Sequence, residues 1–287
     1  MSSQTAKTAM VRVDKVREKK EILVRRIHMN ELQVMGSVAN TIATDQIAAW
    51  QTNHWMISAA IVAIAVGYIY YVFQTIILLK KHQSMGPIWM HCFFAADDTT
   101  AAVVFFNAGM KYHFWFYWLF CVGMFIWVGF EIFCVRMALK YEQEDFIRGV
   151  KSPKQMATIA LMLYLVCLCI INLIRNWTGD EVMLMNFTLC NILAVTIPPL
   201  FGLRRETRTK YELGFYINNM LIAFTNFLPK NFGWWTTASP FFDHYWWYLS
   251  GVIMTAYTIW AFVTVLKKPK DETFAVAETK KAAKKTA

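Results

Sequence analysis

The sequence predicts an all-α polytopic membrane protein with seven transmembrane helices and an N-terminal amphipathic helical arm. Of the 287 residues, 57% are hydrophobic and only 17% are charged, which lies outside the range of ordinary soluble domains. The apolar residues come in runs of about twenty separated by short charged loops, and about twenty residues is the length of helix that crosses a hydrocarbon layer. Together these observations exclude a soluble enzyme fold or a nucleic-acid-binding domain.

Seven apolar runs of the required length divide the chain. They extend over Trp55 to Leu79, Pro87 to Ala108, Phe114 to Ala138, Met156 to Ile174, Val182 to Gly202, Leu213 to Leu228 and Trp246 to Leu266. The sixth run is the least apolar because it contains three asparagines, but polar groups in a helical bundle normally face other helices. Residues 55–266 are therefore predicted to form one seven-helix transmembrane bundle.

The two flanking segments have a different composition. From about Val11 to Leu32, charged residues alternate with Val, Ile and Leu, a pattern typical of an amphipathic helix at a membrane surface. Residues 1–54 are interpreted as a basic arm that lies at the interface or docks a partner subunit. Residues 267–287 are rich in Ala, Lys, Thr and Glu, which predicts a disordered basic tail.

The net charge of +10 is explained by membrane topology. Fourteen Lys and Arg residues follow the first, third, fifth and seventh runs, whereas only three, Lys111, Arg175 and Lys230, lie on the opposite side. Short cytoplasmic loops carry the excess of Lys and Arg in membrane proteins. The sequence therefore predicts a cytoplasmic C-terminus and an N-terminus that is outside or lumenal.

Three acids lie inside the predicted spans, where each charge costs a few kcal/mol and functional candidates concentrate. Asp97 and Asp98 lie midway along the second run, and Glu131 lies at a similar depth on the third. We regard these three as candidate catalytic residues; the alternative is an interhelical hydrogen-bond cluster with one acid kept protonated by burial. His91 lies seven residues before Asp98, on the same helical stripe, where it could connect to that carboxyl through water or another side chain; the alternative is a histidine that simply lies at the membrane interface.

No cofactor is predicted. The six histidines show no HxxxH or HxxE spacing, so a metal site would need ligands from distant parts of the chain. The seventh run contains no Lys that could form a retinal Schiff base. No phosphate-binding loop or GxSxG motif is present.

Aromatic residues make up 16% of the chain, and rings that face an internal cavity bind apolar ligands and stabilise cations. The candidate substrate-binding residues are four aromatics and two amides at intermediate depth: Trp127, Tyr164, Tyr257, Trp260, Asn191 and Asn219. The segment from Asn231 to Tyr248 is also strongly aromatic. It has two interpretations, an aromatic belt at the bilayer interface and a lid over a cavity.

The layout resembles the integral-membrane terpene cyclases of meroterpenoid and indole-diterpene pathways, which are seven-span proteins without metal. The passage from Lys80-Lys81 through Cys92 to Asp97-Asp98 is similar to the basic loop, Cys-containing stretch and Trp-Glu pair of that family. Asp98 takes the place of the Glu and Asp97 that of the Trp. The acid that the family carries on its last helix is absent from the segment Val252 to Tyr257.

The resemblance implies acid-catalysed transformation of an isoprenoid or other lipid-like substrate, with Asp98 as proton donor and Asp97 or Glu131 tuning it. Two other classes stay open: a proton- or cation-coupled carrier that uses the membrane carboxylates, and an accessory subunit of a membrane enzyme complex. The expected partners are the lipid bilayer, a hydrophobic small molecule and, for the last class, other membrane subunits. No nucleic-acid partner is expected.

Overall fold

The computed structural model describes residues 41–142, 152–227 and 232–271. Within these ranges the chain is helical and contains no β-strand. The helices are α1 (Ile42–Thr52), α2 (His54–Lys81), α3 (Ile88–Tyr112), α4 (Trp115–Tyr141), α5 (Pro153–Thr178), α6 (Leu184–Leu203), α7 (Lys210–Phe227), α8 (Trp234–Ala238) and α9 (Tyr245–Leu266), with a 3₁₀ turn at Pro240–Phe242. The predicted all-α class is confirmed. The predicted amphipathic segment Val11 to Leu32 and nearly all of the basic tail lie outside the described residues.

Five helices are long and apolar enough to cross a membrane: α2, α4, α5, α6 and α9. Large apolar side chains project outward from these helices, and Phe125, Ile132 and Val252 are each at least 60% exposed. An aqueous surface does not normally carry contiguous apolar patches of this extent. The exposed residues are those expected of a surface in contact with lipid tails.

The ends of the helices follow from local sequence. α2 begins after Asn53, whose side chain accepts a hydrogen bond from the Trp55 amide at 3.1 Å, as an N-cap residue does. α5 begins at Pro153, and it ends at Gly179 in the left-handed conformation, which glycine adopts without steric cost. Most helices extend a few residues beyond the apolar runs that predict them. An apolar run marks only the apolar part of a helix, and the backbone hydrogen bonds continue into the polar residues that flank it.

The helices form two packed groups. α3 packs against α4 and α5, while α7 packs against α2, α6 and α9. Gly251 allows α9 to approach the end of α7, since a Cβ at this position would lie 2.5 Å from Cβ of Phe227. Contacts between α2 and α4 are sparser, and a cavity lies between the two groups.

The aromatic segment after α7 folds inward at one end of the bundle. Trp235 on α8 is fully buried and Trp234 is 5% exposed, whereas Tyr245 and Trp246 at the start of α9 are each 69% exposed. The segment thus divides into a buried part against the bundle and an exposed part typical of an interfacial belt.

Candidate functional site

The central cavity has a volume of about 90 Å³ and lies between the two helix groups. Its wall is mainly apolar and aromatic. The residues that line it come from α2 (Ala63, Ile64, Gly67, Tyr70, Tyr71), α3 (Phe94, Asp98), α4 (Phe120, Trp127), α6 (Phe187, Cys190, Asn191, Ala194), α7 (Ile222, Asn226) and α8 (Trp234, Trp235). An enclosed apolar site with a few polar groups is the usual form of a small-molecule binding site.

Four polar groups of the cavity wall lack a protein partner. Asp98 Oδ2, the Tyr70 hydroxyl and the indole nitrogens of Trp127 and Trp234 are buried and find no hydrogen-bond partner among the described residues. Buried polar groups are nearly always satisfied, and each one that is not costs about 1–3 kcal/mol. Because all four line one space, the wall is suited to a ligand that carries a polar group into an apolar cavity.

The two adjacent aspartates face different surroundings, as neighbours separated by about 100° on a helix must. Asp98 lines the cavity. Both carboxyl oxygens of Asp97 are also buried without a hydrogen-bond partner among the described residues, but Asp97 does not line the cavity. Asp98 is therefore the acid that can touch a bound ligand.

Glu131 is held by two neighbours and is fully buried. The Tyr71 hydroxyl donates to Glu131 Oε1 at 2.5 Å, and His91 Nδ1 lies 2.6 Å from Glu131 Oε2. Tyr71 also lines the cavity. The expected connection from His91 toward the Asp98 carboxyl thus runs first to Glu131 on α4.

The polar series continues from His91 to one end of the bundle. Ser84 Oγ lies 2.9 Å from His91 Nε2, and the side-chain nitrogen of Gln74 lies 3.1 Å from the same atom. In the tautomer with its proton on Nδ1, directed at Glu131, the Nε2 lone pair can accept a hydrogen bond from one of these two groups. Ser84, His91 and Glu131 therefore stand in the order of a serine-histidine-acid series.

Ser84 reaches a polar basin of about 740 Å³ at what we call the basic end of the bundle, which carries Lys80, Lys81, Arg204 and Arg205. The Arg205 guanidinium donates to the Ser84 carbonyl at 2.6 Å and to Glu212 Oε1 at 2.5 Å. Glu212 also accepts hydrogen bonds from the amide and hydroxyl of Thr209. This network ties the α2–α3 connection to the start of α7.

His91, Glu131 and Cys134 bring possible metal-ligand atoms within 4.8 Å of one another. The His91–Glu131 distance of 2.6 Å is that of a charge-assisted hydrogen bond. Two ligand atoms each about 2.0–2.1 Å from a shared zinc ion would stand farther apart in a tetrahedral site. The side chains are thus arranged to bond to each other.

The other predicted substrate-binding residues are distributed over the bundle. Trp127 and Asn191 line the cavity, whereas Asn219 and Tyr257 donate to backbone carbonyls of α6, those of Ala194 and Thr196. Two aromatics lie elsewhere. Tyr164 packs partly buried against the core, and Trp260 is 53% exposed.

Sequence reasoning did not single out Tyr70, Tyr71 or Ser84. The adjacent tyrosines in the middle of an apolar run were the available signal for the first two, since a buried hydroxyl in a membrane helix needs a partner. Ser84 lies in a short loop, where a serine carries no distinguishing signal. In comparisons with protein-family models, curated proteins and solved structures, nothing matches the chain.

Proposed function

We propose that α3 and α7 cross the membrane together with the five apolar helices, which gives seven spans. At about 1.5 Å per residue, the 25 residues of α3 and the 18 of α7 reach across most or all of a hydrocarbon core of about 30 Å. Their lower hydropathy comes from buried polar residues that face neighbouring helices. The distribution of Lys and Arg supports an orientation with the basic end in the cytoplasm.

We further propose that the protein is an enzyme that binds an isoprenoid or another lipid-like substrate in the central cavity and transforms it by acid catalysis, with Asp98 as the proton donor. The observation that carries this proposal is the carboxyl of Asp98 at the wall of an aromatic cavity, with one oxygen that has no partner among the described residues. The resemblance to membrane terpene cyclases supports the same chemistry.

The proposed reaction needs a positioned acid and walls that tolerate positive charge. Asp98 donates its proton to an epoxide oxygen or an alkene carbon, and the electrons of the C–O or C=C bond leave a cation on the substrate. The faces of Trp127, Trp234 and Tyr70 can stabilise that cation. When the cation loses a proton to the Asp98 carboxylate, the cycle closes without consuming a proton or an electron.

The size of the cavity limits the part of the substrate that enters. An engineered cavity of about 150 Å³ holds benzene, so about 90 Å³ holds roughly one isoprene unit. The rest of a longer chain has to leave the cavity between helices. We favour an exit between α2 and α4, where contacts between the two helices are sparse. At this point the Trp127 ring packs on Gly67, and a Cβ added to that glycine would lie 3.2 Å from the ring.

The test uses the purified protein in lipid nanodiscs with a panel of isoprenoid alkenes and terminal epoxides. We expect a cyclised or isomerised product from at least one substrate, and a farnesyl diazirine probe is expected to label residues of the cavity wall. If no panel member reacts and the probe labels only the outer surface of the bundle, the proposal is wrong.

A proton-coupled carrier is the second candidate. The observation in its favour is the buried polar series from Ser84 through Glu131, which leads from the basic end toward the cavity. Substrate uptake into proteoliposomes that responds to an imposed proton gradient, without chemical change of the substrate, would select the carrier over the enzyme.

A further inference from the structure

We propose that Ser84, His91, Glu131 and Tyr71 form a proton relay that connects the polar basin at the basic end with Asp98 in the central cavity. The relay rests on the proposed role of Asp98 as a proton donor, because it protonates the Asp98 carboxylate before the first turnover; the substrate cation returns that proton in each cycle. The relay assigns one role, proton transfer, to the buried polar residues Tyr71 on α2, His91 on α3 and Glu131 on α4.

The relay is continuous at hydrogen-bond distance from the basin to the cavity wall. Its three contacts measure 2.9 Å from Ser84 Oγ to His91 Nε2, 2.6 Å from His91 Nδ1 to Glu131 Oε2 and 2.5 Å from Glu131 Oε1 to the Tyr71 hydroxyl. Its outer member, Ser84, is among the residues around the basin but is itself fully buried, and its inner member, Tyr71, lines the cavity beside Asp98. All four side chains are buried, so they are shielded from the surrounding lipid.

Each member can accept a proton at one atom and release one at another. A proton that arrives through the Ser84 hydroxyl enters His91 at Nε2, and the proton on Nδ1 moves to Glu131 Oε2. The Tyr71 hydroxyl then turns its hydrogen from Glu131 to the cavity, and the Glu131 carboxyl turns its new proton toward Tyr71. Glu131 gives that proton to the Tyr71 oxygen while Tyr71 releases its own proton into the cavity. The net change is one proton moved from the basin to the Asp98 carboxylate.

The last step crosses the cavity itself. A water molecule needs about 10–15 Å³ of such space and two to four polar partners, and the cavity offers about 90 Å³. Tyr71, Asp98 and the indole nitrogen of Trp127 all line that space. The cavity is therefore large enough for a water molecule that would link Tyr71 to Asp98.

The same series has the order of a hydrolase triad, but its serine is poorly placed for attack. Ser84 has no exposed surface, and its Oγ also accepts a hydrogen bond from the Gly86 amide at 3.2 Å. A nucleophile must reach the carbonyl carbon of a substrate, whereas a relay needs only contact with its neighbours. The geometry therefore favours proton transfer.

The experiment measures how fast the Asp98 carboxyl proton exchanges with deuterium. Infrared spectra of the full chain in nanodiscs are recorded after a change from H₂O to D₂O, and the carboxylic C=O band that disappears in Asp98→Asn is followed. We expect this exchange to slow by about tenfold or more in Tyr71→Phe and Glu131→Gln, the scale on which a positioned proton carrier acts. If Glu131→Gln does not fold, Tyr71→Phe decides alone.

The matched control is Tyr216→Phe. Tyr216 is equally buried and donates to the Pro199 carbonyl at 2.8 Å, away from the relay. Exchange at the wild-type rate in Tyr216→Phe supports the relay, while equal slowing in both Tyr→Phe variants would overturn it. Unchanged exchange in Tyr71→Phe, or covalent labelling of Ser84 by a fluorophosphonate, would overturn it too.

Failure of the relay is distinguishable from failure of the proposed function. Labelling of the cavity wall by the farnesyl diazirine probe depends on the cavity and not on the path to the basin. Labelling that persists together with unchanged exchange rejects the relay and leaves the proposed function standing. If the farnesyl diazirine probe does not label the cavity wall of the wild-type protein and no panel member reacts, the proposed function is rejected, whatever the exchange rate at Asp98.

Discussion

Asp98 and Glu131 are both buried in neighbouring helices, yet their surroundings are opposite. Both oxygens of Glu131 are engaged, one by Tyr71 and one by His91, whereas Asp98 Oδ2 finds no partner among the described residues. A carboxyl with two bonded oxygens holds α2, α3 and α4 together. A carboxyl at a cavity wall with an unpaired oxygen contributes little to folding and is open to a ligand, so Glu131 has a structural task in addition to its place in the relay, whereas the task of Asp98 is chemical.

The comparison predicts the largest effect for the activity of Asp98→Asn. The amide has nearly the same shape but cannot donate a carboxylic proton, so turnover should fall by about 10²–10⁴-fold while the thermal unfolding temperature changes little. Product formation from the isoprenoid panel and unfolding in detergent measure the two quantities. Asp97→Asn is the matched variant, because Asp97 does not line the cavity, and it should retain more turnover than Asp98→Asn.

The second prediction concerns stability, on which Glu131→Gln should have a larger effect than Asp98→Asn. In Glu131→Gln one oxygen is replaced by an NH₂ group, so either Tyr71 or His91 meets a donor in place of an acceptor. A buried group left without a partner costs about 1–3 kcal/mol, and we expect the free energy of unfolding to fall by that amount. Asp98→Asn, measured beside it, should be near wild type. Equal losses in the two variants would contradict the separation of tasks.

Part of this arrangement follows from sequence. The all-α class, the seven long helices and the three acids within the apolar runs could be predicted, because apolar runs and isolated charges are local features of the chain. That Asp98 and not Asp97 faces the cavity, and that His91 bonds to Glu131, depends on the rotation and crossing of α3 and α4. Those are set by side-chain packing across the whole bundle, such as the close approach of Gly251 to Phe227, and no run of residues encodes them locally.

The positions of the aromatic residues likewise follow only in part from sequence. Trp127 was predicted as a cavity wall and lines the cavity, whereas Trp260, with the same composition signal, is 53% exposed. When a helix is apolar on all sides, the spacing of apolar residues along the sequence does not distinguish a ring that faces inward from one that faces outward. The binding roles of Tyr164, Tyr257 and Asn219 stay predictions.

A smaller effect is expected where α2 and α4 meet beside the cavity. A Cβ in Gly67→Ala would lie 3.2 Å from the Trp127 ring, so the ring has to shift and narrow the wall next to Asp98. We expect binding of a fluorescent isoprenoid to weaken by about 1 kcal/mol, roughly fivefold. Gly129→Ala on α4 is the control, because nothing lies within 4 Å of its added Cβ. Equal affinity in both variants would place the ligand elsewhere.

The smallest effect concerns Glu212, an acid held by Arg205 and Lys81, whereas Glu131 is held by a tyrosine and a histidine. It precedes the predicted sixth span and lies at the basic end. Burial alone would raise the pKa of Glu212, but Arg205 at 2.5 Å and Lys81 at 3.4 Å outweigh burial and hold that pKa below its ordinary value. A folded-state pKa below the unfolded value stabilises the fold above the unfolded pKa, and this stability is lost as the pH falls through the folded pKa.

The thermal unfolding temperature should therefore fall as the pH drops below about 4.3, the ordinary value for Glu, and Glu212→Gln should flatten that part of the profile. Exposed Glu206 in the loop before α7 provides the control, and Glu206→Gln should keep the wild-type slope. A wild-type slope that persists in Glu212→Gln would mean that other acids carry the acid sensitivity. The ion pair would then add little to the attachment of α7 at the basic end, and the buried bonds of Glu131 would be the stronger link between helices.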